Sequence, residues 1–235
     1  QPCKTELNVR MDTFPKYKVF PNLKSVPYNM PLKDISDVSH LRVSPSTRWV
    51  WIRREIPRNL PIPLPLCDTS EQRASIMFCD DDDDDTSLSI PMLYEREGES
   101  LMLWMSLSPM ELMSLNPLIL QAHGRVVVCG LGIGYMLTQI MSRDDVTEVV
   151  LIERSQELID WILPHLQKSD CPLRVVTGDV FEELPHIRDR FGVKFDIAVV
   201  DTFAVFDSKV ENRAAIERLR STSESAVSEV IGWAT

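Results

Sequence analysis

Four places in this sequence carry residue types able to hold a ligand and work on it. They are the glycines Gly130, Gly132 and Gly134, then Glu153, then Gly178-Asp179, then Asp201. Each directly follows an apolar run: Val126-Val-Val-Cys129, Val149-Val-Leu-Ile152, Leu173-Arg-Val-Val-Thr177 and Phe195-Asp-Ile-Ala-Val-Val200. Glycines let bare backbone approach a ligand and adopt conformations closed to other residues. Glu153 lies nineteen residues beyond Gly134. A carboxylate there can accept hydrogen bonds from both hydroxyls of a ribose, or simply face water at a strand end. Asp179 precedes Val180-Phe181-Glu182, an Asp-x-x-Glu pattern that caps a helix. It either does that or meets an adenine, or caps while backbone amides touch the base. Asp201 ends a strand too apolar to carry an idle acid; it contacts a reacting group or anchors a loop.

The glycine spacing narrows the ligand. A dinucleotide fingerprint reads G-x-G-x-x-G, its last glycine permitting close packing of helix on strand. Counted from Gly130, that last position is Tyr135, far too large, and the pattern is G-x-G-x-G instead. This speaks against NAD and for a ligand without a pyrophosphate, or for a tight turn that holds no ligand.

The elements that must position these residues follow from hydrophobic period. Strands are predicted at Val126–Cys129, Glu148–Glu153, Leu173–Thr177, Phe195–Val200 and Ala226–Trp233. Helices are predicted at Tyr135–Ser142, Gln156–Gln167 with Pro164 near its end, Val180–Arg190 and Arg213–Arg220. Apolar strands separated by single helices imply an α/β, Rossmann-like, mostly parallel sheet with right-handed crossovers. Such sheets bind ligands beyond the carboxyl ends of their strands. All four places should therefore share one edge.

Two domains are expected: an N-terminal, β-rich and Pro-rich region over 1–105, and the Rossmann-like domain over 106–235. Arg48-Trp-Val-Trp-Ile-Arg-Arg54 alternates as a half-buried strand does, or forms an aromatic and basic surface. Pro57, Pro61, Pro63 and Pro65 exclude a central strand or helix and predict an extended linker. Asp80 to Asp85 is a run of six aspartates, read as a solvated loop rather than a cation site. Pro91–Tyr94 and Ser100–Met105 form a hairpin around Gly98. Ser108, Pro109 and Glu111 then start a helix running toward Leu115.

Composition excludes several classes. The chain has 235 residues and a formal net charge of −10, so it lacks the basic footprint of a nucleic-acid binder. No apolar stretch is long enough to span a membrane, and the N-terminus carries no signal pattern. Residue 1 is Gln rather than Met, so an upstream segment is expected. Five cysteines without a C-x-x-C pair fit reduced, cytoplasmic usage. Four dispersed histidines give no metal site.

Residues 124–203 resemble the S-adenosylmethionine-dependent methyltransferase superfamily, class I. Val126 to Gly134 resembles its glycine motif, Val150–Glu153 its ribose-binding motif, Gly178-Asp179 its adenine-side motif and Phe195–Asp201 its fourth-strand motif. The order of hairpin, helix and sheet is most similar to the spermidine synthase-like branch. The resemblance implies Gly130, Leu131, Gly132, Gly134, Glu153, Arg154, Asp179, Val180 and Asp201 as contacts of S-adenosylmethionine or its decarboxylated form, with Asp201 as the catalytic candidate. It implies transfer of a methyl group to a small-molecule acceptor. The alternatives are polyamine aminopropyl transfer, and a binding or regulatory protein that kept the fold without chemistry. Two departures bear on the choice. The glycine loop lacks the acid usual in polyamine synthases, and Asp201-Thr-Phe-Ala204 lacks their second acid. Too few residues follow Asp201 for the family's last three strands. A shortened sheet leaves an edge open to pairing in a homodimer.

Overall fold

The computed structural model describes residues 17–21, 42–56, 62–64, 74–78, 88–107, 109–166, 169–203 and 209–232. Its strands are β1 (Tyr17–Pro21), β2 (Arg42–Val43), β3 (Trp49–Ile56), β4 (Ile62–Leu64), β5 (Ala74–Phe78), β6 (Leu88–Glu97), β7 (Ser100–Ser106), β8 (Gly124–Cys129), β9 (Val146–Glu153), β10 (Leu173–Thr177), β11 (Phe195–Val200) and β12 (Val227–Gly232). Its helices are α1 (Pro109–Gln121), α2 (Tyr135–Met141), α3 (Gln156–Ile162), α4 (Val180–Glu183), α5 (Ile187–Phe191) and α6 (Lys209–Ser223).

The chain divides into two units. One gathers 1–41, 53–91 and 107–113; the other gathers 42–52, 92–106 and 114–235. In the first, β1, β5 and β4 form an antiparallel sheet in that order. Ile62–Leu64 is thus a strand rather than the expected linker. It stands at the sheet edge, where a proline is tolerated. The six-aspartate run lies outside the described residues, as do Ser108, Pro57, Pro61 and Pro65.

The second unit holds a five-stranded parallel sheet in the order β10-β9-β8-β11-β12. This is a Rossmann-like arrangement, reversing direction of growth between β8 and β11. The central strands β8, β9 and β11 are buried on both faces, whereas the edge strands β10 and β12 each leave residues exposed. Val127, Cys129, Val150, Ile152, Val176, Ala198 and Val200 pack with Val180, Leu184 and Ile187 below and with Ile216 and Leu219 of α6. Val126, Val128, Val149, Leu151, Ile197 and Val199 are equally buried, and α2 packs against β9. Burial on both sides is why these strands read as continuous apolar runs instead of alternating ones.

Prolines reshape two expected helices. The helix begun at Gln156 stays α-helical only to Ile162, and Leu163–His165 with Pro164 tightens into a 3-10 turn. The segment after Asp179 is α4, a 3-10 turn at Leu184–His186 containing Pro185, then α5. A proline removes one helical donor and crowds the preceding turn, so the ladder tightens or breaks there. The helix from Pro109 runs on to Gln121 despite Pro117.

The hairpin of β6 and β7 belongs to a sheet ordered β2-β3-β6-β7. Its register runs Glu97↔Ser100 to Tyr94↔Leu103, then shifts so that Leu93 faces Met105. Trp104 is the extra residue of this bulge. Its ring stands edge-on to Trp49, with centroids 5.7 Å apart and planes at 76°. A turn after β2 is tied to α3: the Ser46 N–H and Oγ–H donate to the two Glu157 oxygens at 2.8 and 2.6 Å.

Candidate functional site

The carboxyl ends of β8, β9, β10 and β11 lie side by side, because parallel strands in register share a direction. Cys129 faces Ile152 and Val200, and Thr177 faces Glu153. The four strand-end segments singled out in the sequence are therefore brought to one edge.

The glycine loop is held by backbone geometry. Gly130, Gly132 and Gly134 have φ of +97°, +52° and +83°, a region that L side chains rarely adopt. Space forbids a side chain as well. A Cβ at Gly130 would run into the Asp201 carbonyl oxygen. The Asp201 N–H donates to the Cys129 carbonyl at 2.9 Å. The loop and the end of β11 are thus pinned together, and Gly130 is the residue that permits it. Gly134 precedes Tyr135, the first residue of α2, and takes the N-cap position without a side-chain cap.

Glu153 locks the second strand end to this loop. Its Oε2 accepts from the Leu131 N–H at 2.8 Å and its Oε1 accepts from the Ser155 N–H at 2.8 Å. Ser155 in turn caps α3, its Oγ accepting from the Leu158 N–H at 3.1 Å. Each carboxylate oxygen still has a free lone pair. Arg154, beside it, is exposed.

Asp179 caps α4: its Oδ1 accepts from the Phe181 N–H at 2.8 Å. Val180 is buried under the sheet, leaving its backbone for any contact at this edge. The preceding Gly178 N–H donates to the Glu153 carbonyl at 3.0 Å, which joins the third strand end to the second.

Asp201 is the acid with a distorted equilibrium. Desolvation by the surrounding protein raises its carboxyl from 3.8 to about 7. Part of its surface remains accessible. A group this desolvated yet reachable exchanges protons near neutrality. Cys129 is a different case: complete burial pushes its thiol far above the ordinary range, so it serves packing and not nucleophilic attack. Among the described residues no cluster of His, Cys, Asp and Glu is arranged to hold a metal ion, and no helix is long and apolar enough to cross a membrane.

Three contacts at this edge had no signature in the sequence. The Met105 Sδ of β7 accepts from the Ile133 N–H at 3.0 Å, and it occupies the space a Cβ on Gly132 would need. The Leu166 side chain covers Gly134. The Tyr135 hydroxyl donates to Asn116 Oδ1 at 2.9 Å, and burial raises the phenol above its ordinary value. Each joins residues far apart in the chain, and periodicity reports only neighbours.

No family model matches the chain. Over 80 residues it is 32% identical to polyamine aminopropyltransferase 2 of Caldanaerobacter subterraneus subsp. tengcongensis. The match covers 33% of this chain and 26% of that relative. Among solved structures it is similar to a spermidine synthase in complex with the transition-state analogue AdoDATO, at 14% identity and a TM-score of 0.40. That likeness covers 80% of this chain and 59% of the other. It is also similar to spermidine synthase from Thermotoga maritima, at 15% identity and a TM-score of 0.37, over 74% and 62% of the two chains. Precorrin 8w decarboxylase of Methanobacterium thermoautotrophicum matches at 21% identity and a TM-score of 0.32, over 47% and 53%. The fold assignment rests on the strand order and register described above.

Proposed function

We propose that this chain binds an adenosyl sulfonium, S-adenosylmethionine or its decarboxylated form, and transfers a carbon group from it to a small-molecule acceptor. The observation that carries the reading is the Glu153 carboxylate. It is fixed beside the glycine loop by two backbone amides, and both its oxygens keep a lone pair for a pair of vicinal hydroxyls. The G-x-G-x-G loop favours a ligand without a pyrophosphate. In this reading the backbone at Asp179 and Val180 meets the adenine, while the Asp179 side chain is spent on its helix.

Transfer from a sulfonium is a displacement at carbon. The acceptor's lone pair forms the new bond, and the carbon–sulfur bond breaks to leave a neutral thioether. The protein's share is alignment and electrostatics. Asp201 adds one chemical step: with a carboxyl near 7, it can take the proton an amine acceptor must shed.

Aminopropyl transfer from the decarboxylated donor is the favoured form of this reading. It is supported by the 80-residue likeness to a polyamine aminopropyltransferase and by an edge rich in carboxylates, which suits a cationic amine. Methyl transfer is the second form, supported by the absence of a second acid after Asp201. Calorimetric titration with S-adenosylhomocysteine tests the binding. Binding should be measurable, and Glu153→Ala should weaken it at least about tenfold, the loss of hydrogen bonds to a charged group; no binding overturns the reading. Incubation with an amine panel then separates the forms. Methylthioadenosine released from the decarboxylated donor marks aminopropyl transfer. S-adenosylhomocysteine released from S-adenosylmethionine marks methyl transfer. Ligand binding with neither product would identify a non-catalytic binding protein.

A further inference from the structure

The first turn of α3 is a junction. The Ser155 N–H donates to one oxygen of Glu153 at 2.8 Å, which helps set how that carboxylate faces the edge. Gln156 Oε1 accepts from the Thr177 hydroxyl at 2.6 Å, at the end of β10. Glu157 is held from 111 residues away, by the tip between β2 and β3. There Ser46 donates its N–H to Oε1 at 2.8 Å and its hydroxyl to Oε2 at 2.6 Å. Burial acts to raise the Glu157 carboxyl, yet hydrogen bonds from Ser46 and Ser44 outweigh it and hold the group below its ordinary value.

α3 needs such a tether. It runs for only seven residues before Leu163–His165, with Pro164, tightens into a 3-10 turn. A helix this short is marginal by itself, so its direction is set by what packs and bonds to it. The tip is built to hold it. Thr47 has a φ of +65°, the one positive value at a non-glycine residue among the described residues. Strain of this kind persists only where neighbouring bonds over-determine it. Here the Thr47 N–H donates to the Ser44 carbonyl at 2.8 Å, and the Thr47 carbonyl accepts from Arg96 Nε at 3.1 Å. Ser44 Oγ accepts from the Trp49 N–H at 3.0 Å. A tip fixed in this way presents Ser46 to Glu157 in one geometry.

We propose that Ser46 and Glu157 are positioning residues for ribose binding: their clamp fixes the first turn of α3, and with it the Ser155 N–H that aims the Glu153 carboxylate. This rests on the adenosyl reading above. Glu153 is aimed by two amides. One is that of Leu131, in the glycine loop that is pinned to the end of β11. The other is that of Ser155, which moves with α3. When α3 is released from Ser46, Ser155 shifts and the carboxylate swings about its remaining bond to Leu131. Two hydroxyls on one ribose need both oxygens in place together, so a small rotation weakens the pair.

The test compares S-adenosylhomocysteine with its 2′-deoxy counterpart, which lacks one of the two hydroxyls. Calorimetric titration of the wild-type chain should favour S-adenosylhomocysteine by roughly tenfold, as one hydrogen bond to a charged group contributes. Glu157→Ala severs the clamp while placing the best helix former in α3. It should cut the preference to about threefold or less. Ser46→Ala should lower the preference by about twofold, and Ser46→Thr, which restores the hydroxyl, should recover it. A clamp that only supports the fold would lower the urea midpoint and weaken both ligands alike. A wild-type preference kept in Glu157→Ala therefore overturns the proposal. If that variant does not fold, the two Ser46 variants decide. A preference unchanged in Ser46→Ala, or not recovered in Ser46→Thr, overturns it equally. A wild-type chain that binds both ligands alike would overturn the ribose role of Glu153, and binding of neither would overturn the adenosyl reading itself.

Discussion

Glu148 at the amino end of the five-stranded sheet and the acids at its carboxyl end are held in different ways. At the amino end, Glu148 accepts from Arg174 at 2.5 Å and lies 3.2 Å from Arg125. Asp196, at the start of β11, accepts from the Arg125 N–H at 2.7 Å. Glu148 is thus neutralised by two arginines on neighbouring strands, while Asp196 is held by a backbone amide. At the carboxyl end, Glu153 and Asp179 meet only backbone N–H groups among the described residues. Asp201 is desolvated without a cation. Paired charges brace a sheet and have nothing left to offer. Acids held by backbone amides, or by nothing, keep lone pairs and protons available. The difference marks Glu148 as structural and supports the proposal that a ligand binds at the carboxyl end.

The comparison can be broken most severely at Gly130. Gly130→Val puts a branched side chain at a φ of +97° and against the Asp201 carbonyl. It should cost about 3 kcal/mol or more, read as a fall in urea midpoint, with ligand binding lost in whatever remains folded. A variant as stable as the wild type would mean the loop and β11 are not pinned together.

Asp201 comes next, and its sign is opposite to that of a paired acid. Its folded pKa is raised to about 7, so folding favours the protonated form. Its contribution to stability is complete below about pH 4 and is lost as pH rises to about 7. The slope is at most about 1.4 kcal/mol per pH unit. Chemical denaturation from pH 4 to 8 should show this fall in the wild type, and Asp201→Asn should flatten it. If both forms show the same profile, Asp201 is not the titrating group.

Glu153→Gln replaces one accepting oxygen with a donor that faces a backbone N–H. We expect a cost of about 1–3 kcal/mol in denaturation experiments, alongside the loss of ligand affinity. Glu148→Gln at the other end should cost only about 1 kcal/mol or less, because its arginines are 41–49% exposed and return to water when released. It should leave ligand affinity unchanged. A larger effect on binding from Glu148 than from Glu153 would invert this comparison.

Much of this was legible in sequence because buried parallel strands announce themselves. The runs at 126–129 and 195–200 are apolar on both faces because their strands are buried on both. The run at 173–177 carries Arg174 and an exposed Val175 because β10 is an edge strand. Helix ends were less legible. Pro164 and Pro185 each convert a predicted turn of α-helix into 3-10 geometry, a choice made by local crowding and not by hydrophobic period. Asp179 was readable as either a cap or a ligand contact, and the Phe181 N–H shows the cap.

The sequence alone determined the parallel sheet and the order of its strand-end residues, and it placed Tyr135 where a dinucleotide fingerprint has glycine, because period, glycine spacing and side-chain size act locally. Tertiary structure alone decided which donors and acceptors remain open. Glu153 is bound to Leu131 across 22 residues, Met105 reaches Ile133 across 28, and Asp201 is desolvated by the protein packed around it. A hydrogen bond is satisfied or left open by whatever arrives from elsewhere in the chain, and no local pattern encodes that arrival.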